Sequence, residues 1–429
     1  MSESMSVLLV SHGFPPRETA GTERHTEALA TELRARGHTV HIVAATRAPG
    51  RPQYERMEEA GVVRIVNNIA TRALSEGESD RAIDQFMKEM EDRFKPDIVH
   101  VHHLQFLSST MKFKAPTVAT LHDQWGWCAA GGLGLQDGER LCSGPTPTAC
   151  AHCHAKWRPA PSTAAQVLTR SAGWASPVIP PDLLHSLYKK IPARLRPSPI
   201  RGQAQEESPR AAAHRNQCVL RWFESLDATI APSRHLAQLA EEQGLGPVDV
   251  IPHGVDEEWF TSRPARAENA PFVHLGTIAH HKGTDRVVGA WRTAFEGDGP
   301  PLQINGPILD PAAADGHPVG PVLTPSEIQA VLGSARALVI GSRWPENAPL
   351  IILEARAAGC PIIAPDIGGI TEIVEHGRDG LLFHDDLGLI EALKTAAEAA
   401  LPTPTPPPKF ATAVTAIETI YHRCTMGSK

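Results

Sequence analysis

The sequence predicts an α/β protein built from two doubly wound domains that face each other across a cleft. Three observations carry that reading. Short apolar strands alternate with helical stretches in two successive series, the second restarting after Val248–Ile251. The first series opens strand, glycine loop, helix, strand, which is the order of a right-handed βαβ unit. The chain has 429 residues, too many for one ordinary domain and comfortable for two.

Ser6 to Ser11 reads as a buried strand and runs into the loop His12-Gly13-Phe14-Pro15-Pro16 through Gly21. From Thr22 to Arg36, Leu29, Leu33 and neighbouring alanines fall at helical spacing, and Gly37 supplies the stop. His38 to Ala44 is the next strand; Ile98–His102 follows a helical stretch at 81–94. Val118–Leu121 and Ala228–Ala231 continue the series. In the second series the strands are Val273–Leu275, Leu302–Asn305, Ala337–Ile340, Pro361–Ala364 and Leu381–Phe383. Two stretches break the rhythm. Residues 124–216 hold four cysteines and then a proline-rich passage, the mark of an insertion. Residues 402–408 (PTPTPPP) form a stiff linker before a last helix, Phe410 to Cys424. The expected division is therefore 1–250 with an insertion at about 124–216, then 251–404, then 405–429 as linker and returning helix.

Composition narrows the class. Hydrophobic residues make up 41% and charged residues 21%, enough apolar matter for real cores. The net charge of −7 speaks against nucleic acid as the partner, since phosphate-backbone binders carry a basic surplus. No apolar run approaches the roughly 18 residues of a membrane span. The opening MSESMSVLLVSHGF lacks a basic region, a long apolar stretch and a cleavage site, and seven cysteines make an odd count. A cytoplasmic enzyme is the expectation.

The densest chemical signal is Trp344-Pro-Glu-Asn-Ala-Pro-Leu-Ile-Ile-Leu-Glu354-Ala. Pro349 suits the first turn of a helix, which places Glu346 in the loop before it and Glu354 about a turn in. Free N–H groups at the helix start make an anion site, and two carboxylates nearby can accept from vicinal hydroxyls. A nucleotide sugar needs both. From spacing alone, two solvated surface glutamates fit as well.

The block WPENAPLIILEARAAGCPIIAPDIGGITEIVEHGRDGLLF, Trp344 to Phe383, resembles the signature of the family-four retaining glycosyltransferases of the GT-B fold. Further landmarks of that family follow in order along nearly the whole chain: the Pro15-Pro16 to Gly21 loop, Arg36-Gly37-His38, KPDIVH at 95–100, Leu121-His122-Asp123, Ala231-Pro232-Ser233, IPHGVD at 251–256 and His281-Lys282-Gly283. The resemblance implies two Rossmann-like domains around a cleft, with a last helix that crosses back to the first.

It also implies roles. Glu346 and the stretch Asn347, Ala348, Pro349 and Leu350 would hold the donor sugar and phosphate, and Glu354 the ribose. Lys282 would neutralise the departing diphosphate, with Thr277 beside it. Gly21 and Thr22 would let the first loop approach the phosphates, and His122 would meet the transferring sugar. The implied partners are a nucleotide-diphosphate-sugar donor and a sugar, lipid-linked or small-molecule acceptor, with no cofactor required for catalysis. Where the family often has Gly-Arg-Leu, this chain has Gly276-Thr277-Ile278. The missing cation leaves His280, His281 or Arg343 as substitutes.

Two other features stand apart. Cys128, Cys142, Cys150 and Cys153 lie within 26 residues and end in C-x-x-C. They admit a tetrahedral structural zinc, or unligated or disulfide-bonded cysteines. The segment 183–201 sets five basic residues beside leucines and a tyrosine. It reads as a peripheral membrane contact at an inner membrane face, or as a solvated loop. His100, His102 and His103 read as cleft or core residues, and Asp385-Asp386 as a helix cap. A sugar-nucleotide epimerase of the same fold and a non-catalytic nucleotide-sugar-binding subunit are the alternatives in function.

Overall fold

The computed structural model describes residues 4–48, 50–69, 72–136, 140–157, 207–260 and 267–427. The strands of the first half are β1 (Ser6–Ser11), β2 (Thr39–Thr46), β3 (Arg56–Glu59), β4 (Val62–Val66), β5 (Ile98–Val101) and β6 (Thr117–Thr120). A two-residue hairpin, β7 (Leu135–Gln136) and β8 (Arg140–Leu141), precedes β9 (Ala228–Ala231) and β10 (Val248–Val250). Apart from β7 and β8, these form an eight-stranded sheet in the order β10-β9-β6-β5-β1-β2-β4-β3. Its pairs are parallel except for β3 on β4. The second half gives β11 (Phe272–Leu275), β12 (Leu302–Asn305), β13 (Ala337–Val339), β14 (Ile362–Pro365) and β15 (Gly380–Phe383). These make a five-stranded parallel sheet in the order β12-β11-β13-β14-β15.

The unbroken apolar run of β1 follows from its central place, since a parallel strand covered on both faces has no polar side. Leu8 and Val10 point into one core with Phe86, Met87, Trp125 and Trp222. Val7 and Leu9 point into the other with Leu29 and Leu33. That second core is closed by the last helix, Phe410–Gly427, through Phe410, Val414, Ile417 and Tyr421. The chain thus returns to its first sheet. Where it leaves and comes back, Phe410 donates its N–H to the Val255 carbonyl and Val255 donates to Pro408. The approach is so close that a Cβ on Gly254 would stand 2.6 Å from the backbone of Lys409. Only a residue without a side chain fits there.

The sequence reading overlooked the β3–β4 hairpin. Its outer strand Arg-Met-Glu-Glu is a charged edge, and edges of that kind protect a sheet from pairing with another chain. Its inner strand is buried throughout but interrupted by Arg64, which donates to Glu18 and to the carbonyl of Pro15. Pro349 differs slightly from expectation as well: it caps the helix Leu350–Ala357 from extended backbone rather than occupying the first turn. The basic segment 183–201 and most of the proline-rich passage lie outside the described residues.

His100 fastens the returning helix. Its Nδ1 lies 2.7 Å from the Tyr421 hydroxyl and its Nε2 2.8 Å from Thr120 Oγ1, all in the buried core. Tyr421→Phe therefore leaves a buried imidazole nitrogen unpaired and should cost about 1–3 kcal/mol in urea unfolding. An unchanged unfolding midpoint contradicts this.

Candidate active site

The site is assembled where the two sheets' loops meet. The loop that follows β13 carries Ser342, Trp344, Glu346 and Asn347 before the helix Leu350–Ala357 begins. Lys282 reaches the same place from the single-turn helix His280–Lys282 after β11. Its turn is closed by Gly283 at φ +68, where a Cβ would lie 1.9 Å from the Gly341 carbonyl. The glycine is therefore a packing requirement that seats the lysine loop on the glutamate loop.

Glu346 is only 8% exposed. It accepts from Lys282 Nζ at 2.8 Å and from Ser342 Oγ at 2.7 Å. Burial pushes its carboxyl up, but Lys282 and the hydrogen bonds outweigh that and hold it below the ordinary value. The Lys282 ammonium also lies 4.5 Å from the centre of the Trp344 ring. Behind the loop, Gly369 donates its N–H to the Glu346 carbonyl at 2.7 Å, and a Cβ there would stand 1.7 Å from the Asn347 oxygen. The glycine pair 368–369 thus clamps the Glu346–Asn347 backbone.

Across the cleft, His122 lies two residues beyond β6, and its carbonyl accepts from Asn347 Nδ2 at 2.9 Å. The imidazole belongs to a buried cluster. His122 Nε2 is 3.3 Å from His102 Nδ1, and ring centres lie 5.3 Å from His25 and 5.9 Å from His253. His25 and His253 stand 4.3 Å apart. Burial, reinforced by mutual repulsion, pushes His25, His102 and His122 well below the ordinary histidine value. Burial alone takes His100 to about 3 and His253 to about 4. These rings are neutral at pH 7. As expected, His100 and His102 are core groups; His103 meets Asp123 at 3.3 Å.

Glu354 is buried on the helix after the loop, and burial raises its carboxyl. Its partner comes from the other domain: Arg24 Nη2 lies 3.3 Å from Oε1. Gly21 and Thr22 open the helix Gly21–Ala35 that carries Arg24, with open space where a Gly21 Cβ would stand. Thr277 is half-buried in the loop after β11, next to Gly276. The residues named as substitutes for the missing cation are placed as follows. Arg343 is committed to Asp285 by two bonds of 2.7 and 3.0 Å, and His280 meets the same aspartate. Burial lowers His281 to about 4, so it carries no charge at pH 7.

Three residues escaped the sequence reading. Ser342 and Arg24 have no motif of their own, although Arg24 follows directly on the Gly21-Thr22-Glu23 start of its helix. Glu372 follows Gly368-Gly369 within the block Trp344 to Phe383, but no role was read for it. It accepts the backbone N–H groups of Arg234 and His235 at 2.9 and 2.7 Å, capping a helix of the first domain from the second.

The four cysteines share one region. Cys150 and Cys153 are buried one turn apart on the helix Pro147–Trp157, and the Cys142 N–H donates to Gly134. Burial pushes the Cys150 thiol up to about 11, with Cys128, Cys142 and Cys153 adding to the effect. Among the described residues, no group of three or more histidine, cysteine or acidic side chains is placed to hold a metal ion. Among the described residues, no helix is long and apolar enough to cross a membrane. Asp385 caps its helix by accepting from the Gly388 N–H, as expected.

The family model for Glycosyltransferase Family 4 matches residues 19–179, and that for Glycosyl transferases group 1 matches residues 272–399. The chain belongs to the family-4 glycosyltransferases. It is 23% identical over 436 residues to a glycogen synthase of Mycobacterium tuberculosis, spanning 92% of this chain and 86% of that protein. Among solved structures it resembles the sucrose-phosphate synthase of Thermosynechococcus elongatus, with TM-score 0.58 at 17% identity over 99% of this chain and 97% of that one. It resembles Anabaena HepE in complex with UDP and glucose with TM-score 0.57 at 15% identity, covering 99% and 100%. The fold of this glycosyltransferase is GT-B.

The histidine cluster makes the glycosyltransferase sensitive to acid. Above the ordinary histidine value of about 6.5 both folded and unfolded chains hold these rings neutral. Below it the unfolded chain takes up protons that the folded chain refuses, so stability falls as pH falls. The melting temperature should drop steeply from about pH 6.5 to pH 5, and His25→Gln should flatten that slope. A melting temperature level across this range contradicts a neutral cluster.

Proposed function

We propose that this glycosyltransferase moves a sugar, with retention of configuration, from a nucleotide-diphosphate-sugar donor to an acceptor hydroxyl. The observation that carries the reading is the convergence of Lys282, Glu346 and Asn347 from the second domain on His122 from the first. A cation held beside a buried carboxylate, at the start of a helix with free N–H groups, is what a sugar diphosphate requires. The Asn347 Oδ1 atom is buried without a hydrogen-bond partner among the described residues, and sugar hydroxyls would satisfy it.

Glu346 then accepts from donor-sugar hydroxyls while Lys282 leans toward the diphosphate. Ala348, Pro349 and Leu350 bring the helix start to the donor, with only Ala348 and Leu350 able to donate backbone N–H. The bond from the anomeric carbon to the phosphate oxygen breaks with its electron pair passing to the diphosphate, whose charge Lys282 stabilises. The acceptor oxygen bonds to the same carbon from the face the diphosphate leaves, and its proton passes to a departing phosphate oxygen. His122, neutral and held through its backbone, lines the sugar. The protein contributes position and charge rather than a covalent bond. HepE, solved with UDP and glucose, and the starch synthase IV catalytic domain of Arabidopsis, solved with ADP and acarbose, support a nucleotide donor and a sugar acceptor.

A charge-assisted hydrogen bond contributes about 1.5–3 kcal/mol, and about 1.4 kcal/mol is tenfold in rate. Lys282→Ala and Glu346→Ala should therefore each cut nucleotide release from the best donor of a nucleotide-sugar panel by more than about tenfold in a chain that is still folded by circular dichroism, although the unpaired charge lowers the melting temperature. Release at the unaltered rate from either variant refutes these roles.

A further inference from the structure

Glu354 poses a physical problem that its own domain does not solve. Its side chain is 6% exposed, and burial alone would drive it toward the neutral acid. A neutral carboxyl is a poor receiver for two ribose hydroxyls, because one oxygen becomes a donor and acceptor capacity falls. The charged groups around it are committed elsewhere. Arg356 on the same helix turns to the carbonyls of Thr405 and Ile373. Glu327, on the neighbouring helix Pro325–Ser334, caps its own helix at Thr324. Asp366, just past β14, faces His384 at 3.4 Å. The group that acts on the Glu354 carboxylate is Arg24, four residues into the helix Gly21–Ala35 of the first domain. Arg24 also faces Asp256, at the crossing between the domains.

We propose that Arg24 is a positioning residue of the donor site: from the first domain, it anchors the Glu354 carboxylate of the second through their ion pair and aims it for the ribose hydroxyls of a bound nucleotide. The contact engages one oxygen, Oε1, which leaves Oε2 for the ribose. Because partner and carboxylate sit on opposite domains, the ribose receiver is complete only when the cleft is closed around Arg24. Donor affinity is thereby coupled to domain approach without any contact between Arg24 and the sugar. The inference rests on the donor reading above for the identity of the ligand.

The test measures binding of UDP, ADP and GDP, and separately of inorganic pyrophosphate, by titration calorimetry from about pH 7.5 to pH 5. It uses the full chain, Arg24→Ala, Arg24→Lys and Lys282→Ala. The arginine is one-third exposed, so its variants should fold, and melting temperatures check this. Arg24→Ala should weaken the best nucleotide about fivefold to tenfold at pH 7. It should weaken further as pH falls, because the unpaired carboxyl protonates at a higher pH than the paired one. Arg24→Lys should restore most of the affinity and the wild-type pH profile. Pyrophosphate affinity should be unmoved by Arg24→Ala but lost in Lys282→Ala. Wild-type nucleotide affinity and pH profile in Arg24→Ala overturn the proposal. So does an equal loss of pyrophosphate, which would make Arg24 a phosphate ligand. If the wild-type chain binds no nucleotide at all, the donor reading itself falls and takes this inference with it.

Discussion

The Lys282–Glu346 pair is the interaction on which the rest of the site depends. Withdrawing two charges from water costs several kcal/mol per ion, and a pair recovers this only with good geometry and further hydrogen bonds. The second domain is arranged to supply them. Ser342 adds a donor to the carboxylate, Gly283 and Gly341 let the lysine loop settle on the glutamate loop, and Gly368–Gly369 grip the backbone on either side. Such a pair is a poor way to stabilise a fold. It is a good way to keep a cation and an acceptor preorganised beside a helix start, where a sugar diphosphate would find both.

Opposite Lys282, the first domain answers with neutral groups. His122 and its neighbours are held uncharged by burial, so they face the second domain without adding positive charge next to Lys282. The domains are joined by polar contacts that each carry information about the cleft: Asn347 to His122, Glu372 to the helix start at Arg234, and Arg24 to Glu354. The proline linker and the returning helix complete the frame, with Tyr421 anchored on His100 beneath the sheet.

Much of this was legible in the sequence, for a clear reason. Parallel strands buried on both faces leave unbroken apolar runs, and glycines forced by close backbone approach leave fixed punctuation, so β1, β2, β5, β9 and the five strands of the second sheet could be read directly. The β3–β4 hairpin was not, because Arg64 breaks the apolar run and the outer strand is charged. That Lys282 and Glu346 serve one site was implied only by resemblance, and their direct pairing was not foreseen; residues 64 positions apart share no periodicity. The Arg24–Glu354 contact lies 330 residues apart and has no local pattern at all. The missing cation illustrates the limit. Arg343 looked available in sequence, and only packing showed it committed to Asp285.

The most direct measurement is a crystal structure of the chain with the nucleotide that binds it best. The diphosphate should lie against Lys282 and the N–H groups of Ala348 and Leu350. The ribose hydroxyls should meet Glu354, whose contact with Arg24 persists. A nucleotide seated elsewhere, with Lys282 and Glu346 still sealed against each other and the cleft empty, would contradict the account.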